Sequence, residues 1–175
     1  MGDEATTGPT AEPSEPPTVV AQLRRELDAL AAQYGELVAV SHHFDADPDF
    51  DPHPDGWPAD HAWITLLDPT VRGQWLKIYF DGIDHDLTLT VGDVGYFEWW
   101  NHSDVNTVVS EVMGICAGIM AGDIWEWRTP RERGCEVLAP DGRRWRVTDG
   151  RRPAKYWPRW GLRPVPRRCL DGYAG

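Results

Sequence analysis

The chain has 175 residues, 28 Asp and Glu against 17 Lys and Arg, and a formal net charge of −11; that length suffices for one domain with a real core. The charge is uneven: residues 1–127 hold 23 acids and 4 bases, net −19, whereas 128–175 hold 5 acids and 13 bases, net +8. An acidic body of that size repels nucleic acid and attracts basic partners over roughly a Debye length, about 8 Å at physiological salt.

Residues 1–18 are rich in Pro, Glu, Thr and Gly and carry too little apolar surface to order themselves, so a disordered tail is expected. Over 19–34, Val20, Leu23, Leu27, Leu30 and Ala31 share one stripe, with Gly35 as the stop, which predicts a helix. Residues 37–44 alternate as a strand that places Val38, Val40, His42 and Phe44 on one side. A loop over 45–60 follows, with Asp45, Asp47, Asp49, Asp51, Asp55 and Asp60 set among four prolines. Asp51, His53, Asp55 and Gly56 begin like a calcium-binding loop. The Glu needed at the twelfth position is Ala62, however, and the prolines forbid flanking helices, so the acids read as a solvated, partner-facing loop. Residues 61–67 are the next strand, with Ala62, Ile64 and Leu66 opposite Trp63 and Thr65.

The centre of the chain is a hairpin and a helix. Leu76, Ile78 and Phe80 alternate within 74–81, Leu87, Leu89 and Val91 within 85–91, and Asp81-Gly82 supplies the turn. The aliphatic side of this hairpin needs a cover. The helix predicted over 103–122 supplies it, with Val105, Val108, Val109, Val112, Cys116, Ile119 and Met120 on one stripe and Ser103 as the N-cap. Gly114, Gly118 and Gly122 give that helix a bare ridge for a close backbone approach. Its continuously apolar part, 112–121, is too short to span a bilayer. Residues 135–139 and 143–148 flank Pro140-Asp141-Gly142 as a second hairpin. Residues 149–175 form a basic Pro/Trp-rich arm without a period. That arm is expected to be extended or disordered, or to dock with Trp157 or Trp160 as anchor while its arginines reach the acidic body; the rival use is stacking on single-stranded nucleic acid, which the acidic body opposes.

The fold expected is α+β: one domain over 19–148, an antiparallel sheet of about four to six strands with two helices packed on one face. Chemistry-bearing motifs are few. Cys116 falls on the buried stripe and Ser110 in mid-helix, away from the exposed positions nucleophiles occupy, and no phosphate or dinucleotide loop is present. Three cysteines without metal-type spacing, and no apolar leader, point to a reducing cytoplasm. His42, His61 and His85 with nearby acids suggest a small metal enzyme as an alternative, but lack the paired spacing that presets ligands; no metal, cofactor or membrane partner is expected. The favoured site is the run Tyr96, Glu98, Trp99 and Trp100, where large amphipathic side chains surround an acid able to pair a partner's Arg or Lys. Asp45, Asp47, Asp49 and Asp51 add acidic surface to it.

The runs HAWITLLDP and WLKIYFDGIDHDLTLTVGDVGYFEWW, followed by an apolar helix, resemble the small α+β immunity proteins that accompany bacterial polymorphic toxins. The likeness spans 19–127. It implies a non-catalytic protein that binds and neutralises a basic toxin through an acidic or aromatic face.

Overall fold

A computed structural model describes residues 18–46, 61–81, 86–93, 95–100, 104–128, 132–150 and 167–173. The expected tail up to residue 17, most of the acidic loop and residues 151–166 of the arm lie outside them.

Among the described residues the α-helices and strands follow in chain order: α1 (Thr18–Ala32), β1 (Val38–Ala46), β2 (His61–Pro69), β3 (Leu76–Asp81), β4 (Leu87–Val91), β5 (Gly95–Trp99), α2 (Val105–Ala121), β6 (Ile124–Arg128), β7 (Glu132–Leu138), β8 (Arg144–Gly150) and β9 (Arg167–Cys169). The fold is α+β, with a five-stranded antiparallel sheet in the order β1-β2-β3-β4-β5. Sequence reasoning did not foresee the second sheet, β8-β7-β6-β9, also antiparallel.

The inner face of the first sheet carries Trp63, Thr65 and Leu67 of β2, Leu76, Ile78 and Phe80 of β3, Leu87, Leu89 and Val91 of β4, and Phe97 of β5, all buried. In β2 it is thus the Trp63 side, not the Ile64 side, that faces the core. The helix α1 buries Val19, Val20, Leu23, Leu27, Leu30 and Ala31 there, and α2 buries Val108, Val109, Val112, Ile115, Cys116, Ile119 and Met120 in the same cluster. Alternation in the strands and the three-and-four spacing in the helices therefore converge on one core.

The start of α2 corrects the expected cap. Asp104, not Ser103, is the N-cap: its carboxylate accepts from the Asn106 N–H at 3.0 Å and from the Thr107 hydroxyl at 2.6 Å. Those bonds hold the Asp104 carboxyl below its ordinary value, the Thr107 hydroxyl contributing most. At the other end Gly122 takes a left-handed φ of +87°, and the Asp123 N–H reaches back to the Gly118 carbonyl at 2.8 Å, closing the helix. The bare ridge meets the second sheet: a Cβ on Gly118 would lie 2.4 Å from the Leu138 carbonyl oxygen of β7.

The end of the arm is also corrected. Residues 167–173, read from sequence as part of an unpatterned arm, enter the fold: β9 pairs with β6, Leu170 and Tyr173 are buried, and Gly172 packs on the end of α2 at Gly122. The anchors are Leu170 and Tyr173; Trp157 and Trp160 lie outside the described residues.

Candidate functional site

Tyr96, Glu98 and Trp99 belong to the fifth strand, and Trp100 follows it directly. Register with β4 sorts their side chains. Glu98 lies opposite Thr88 and Tyr96 opposite Thr90 on the outer face, while Trp99 lies opposite Leu87 and Phe97 opposite Leu89 on the inner face. Phe97 is buried and Trp99 half-buried, their rings 6.5 Å apart, and the Trp99 indole N–H donates to Glu111 Oε2 of α2 at 2.8 Å. Trp100 and Tyr96 stay exposed, 68% and 48% accessible.

Backbone direction follows from two hydrogen bonds at the ends of the β3–β4 ladder. The Asp81 N–H donates to the Asp86 carbonyl at 2.9 Å and the Gly92 N–H to the Trp75 carbonyl at 2.8 Å. Bonded and non-bonded pairs alternate in an antiparallel ladder. Thr88 and Thr90 therefore bond to β3, and Leu87, Leu89 and Val91 bond to Trp99, Phe97 and Gly95 of β5. The backbone N–H and C=O of Tyr96 and Glu98 consequently point away from the sheet, along an edge that no further strand pairs with among the described residues.

That edge opens into a cleft of about 370 Å³ lined by residues 95–100 on one side and by Trp145, Arg146 and Val147 of β8 on the other. The two sheets come together at Gly95, where a Cβ would fall 2.7 Å from Val147 Cγ1 and 3.5 Å from Cys135 Sγ. Only glycine admits that approach. Trp145 keeps its buried indole N–H without an acceptor among the described residues. Arg146 lies with its guanidinium 4.5 Å from the centre of the Trp127 ring. The β8 wall was not foreseen as part of the site, because nothing local in residues 145–147 signals which strand they will face.

Residues 78–127 contain nine acids and no Lys or Arg, while the cleft itself sets Glu98 of β5 against Arg146 of β8, and Lys77 of β3 stands in register with Thr90 and Tyr96 on the outer face. The basic end of the chain spends several of its arginines on its own acids, with Arg144 against Glu136 at 2.9 Å, Arg168 against Glu126 at 3.6 Å, and Arg143 against Asp141 at 2.6 Å. Asp47, Asp49 and Asp51 lie outside the described residues, and of Asp45 only the backbone, in β1 opposite Ala62, is described. Of the four residues of the expected run, Tyr96 and Glu98 thus share the outer face of β5 and Trp100 follows it, whereas Trp99 turns to the inner face.

Of the histidines of the alternative cluster, only His42 has its side chain among the described residues. His42 places Nδ1 2.8 Å from Thr65 Oγ1 and Nε2 3.1 Å from Asp28 Oδ1, an acid–imidazole–hydroxyl chain that joins α1 to β2. Thr65 is buried, 5% accessible, and its hydroxyl meets the imidazole. His43 points to the other side of β1, toward Ser41, and His61 and His85 side chains lie outside the described residues. Among the described residues no cluster of three or more His, Cys, Asp or Glu could hold a metal ion. Burial pushes the Cys116 thiol up to about 12, leaving it a protonated core group.

No protein-family model, curated protein or solved structure matches the chain. Among the described residues no helix is long and apolar enough to cross a membrane.

Proposed function

We propose that this chain is a non-catalytic acidic binding protein that engages and neutralises a basic protein partner, in the manner of a toxin-neutralising immunity protein. The observation that carries the reading is the β5 edge. Tyr96 and Trp100 stand exposed beside Glu98 at the mouth of an aromatic cleft, within a stretch of fifty residues free of Lys and Arg. Exposed Trp and Tyr with a nearby acid are what binding hot spots for basic partners are made of, the rings supplying area and the acid supplying register.

Affinity capture on the full-length chain at low ionic strength tests it. A basic protein should be retained, released by salt, and lost when Trp100→Ala and Tyr96→Ala are combined. Where the captured protein is toxic, co-expression of the unmodified chain should protect cells and the double variant should not. Retention that ignores both salt and these substitutions would sink the reading.

A further inference from the structure

We infer that the partner binds by strand addition: an extended, alternating basic and apolar segment pairs antiparallel with β5 as a sixth strand of the first sheet. This rests on the reading of a basic partner and specifies how it docks. Three observations converge on it. The backbone N–H and C=O of Tyr96 and Glu98 point outward from the edge, as the ladder alternation requires. The cleft that this edge faces is lined by six consecutive residues of one chain segment, 95–100, the footprint of a strand's length and not of an isolated hole. The strand itself, GYFEW, carries neither Pro nor Lys to deter pairing.

The chemistry of the occupant follows from the two sides of β5. A strand laid beside it sends alternate side chains to the outer face, level with Tyr96 and Glu98, and to the inner side, toward Trp99 and Trp145. The outer positions lie beside Glu98, the one charged residue of β5, so they select Lys or Arg. The inner positions meet two indoles and select apolar or aromatic side chains. A carbonyl or hydroxyl brought in on that side would also give the Trp145 indole N–H the acceptor it lacks among the described residues. Main-chain bonds then supply affinity and the alternate pockets supply specificity.

In an antiparallel pair the residues directly opposite Tyr96 and Glu98 exchange both backbone bonds with them, and these are the basic positions. The probe is a pool of capped peptides of about six residues, a usual strand length, in which Lys or Arg alternates with Val, Ile or Tyr. Two further pools carry N-methyl groups, one on the basic and one on the apolar positions. Binding to the full-length chain is read from tryptophan fluorescence at low salt. Methylation at basic positions should weaken binding about tenfold or more, the loss of two backbone bonds, while methylation at apolar positions leaves it near the parent. Glu98→Pro, which removes an outward N–H, should reproduce the loss, and Glu98→Gln, which keeps it, should lose less. Equal binding by all three pools would overturn strand addition and leave the basic-partner reading standing. Binding by none would also overturn it, and capture of the intact partner then decides the broader reading independently. The protein is unaltered in the peptide experiment, so a misfolded variant cannot produce its result.

Discussion

The Tyr173 hydroxyl donates to the Gln74 carbonyl at 2.8 Å, tying the last described residue to the loop that enters β3. Its ring packs edge-on to Tyr34 with centroids 6.0 Å apart, and the Leu67 carbonyl lies 3.3 Å from the same hydroxyl. Burial pushes this phenol well above its ordinary range. The end of the chain thus clamps both sheets. Tyr173→Phe should cost about 1–2 kcal/mol, the price of leaving buried carbonyls unmet, and Tyr173→Ala about 3–5 kcal/mol. Urea unfolding measures both; a loss under a few tenths for Ala would mean that the clamp is not part of the cooperative unit.

The bare ridge of α2 separates two glycines that look alike in sequence. Gly118 meets the Leu138 carbonyl of β7, whereas at Gly114 a Cβ would rest 3.4 Å from Ala139 Cβ, at the edge of ordinary contact. Gly118→Ala should destabilise by about 1–3 kcal/mol through overpacking. Gly114→Ala should be neutral or gain up to about 1 kcal/mol from helix propensity. Thermal unfolding of the two variants should move in different directions.

Acid should loosen the start of α2 before the rest. Asp104 titrates below its ordinary value of 3.8 when folded, because the Thr107 hydroxyl and the Asn106 and Thr107 N–H groups hold its charged form. A depressed carboxylate contributes stability that is present above the unfolded value and is lost as pH falls through the folded one. The helix end should therefore weaken below about pH 4. Asp104→Asn, which retains an acceptor, should flatten that dependence, seen as exchange of the first-turn amides against pH.

How much of this was legible in the sequence depends on where the determining contacts lie. Leu76–Ile78–Phe80, Leu87–Leu89–Val91 and the α2 stripe are local periodicities, and all became core except Val105, which is half-buried against it. The strand β6 was passed over because its five residues, IWEWR, alternate indoles with an acid and carry only one aliphatic side chain. The last stretch was passed over because Arg167–Cys169 is a strand only by virtue of its pairing with β6, and Leu170 and Tyr173 are buried by residues far away in sequence. For the site, the clustering of Tyr96, Glu98, Trp99 and Trp100 was visible, but not that β5 is an edge or that β8 faces it. Both are properties of sheet order.

Thiol chemistry should report the same burial. Cys116 and Cys135 are buried, and burial pushes each up to about 12, with the Glu126 charge adding to the shift at Cys135. Cys169, on β9, is exposed. A disulfide reagent at mildly alkaline pH should label Cys169 alone in the native protein and all three cysteines in denaturant. Rapid native labelling of Cys135 would mean that the two sheets separate at Gly95.

The openness of β5 can be read amide by amide. Hydrogen exchange of the free protein should show Phe97 and Trp99 protected by their bonds to Leu89 and Leu87, and Tyr96 and Glu98 exchanging fast. Adding the alternating basic peptide pool, or the captured partner, should slow Tyr96 and Glu98 selectively. Protection of Tyr96 and Glu98 already in the free chain, or no change in either when the partner is bound, would contradict an open edge that takes the partner as an added strand.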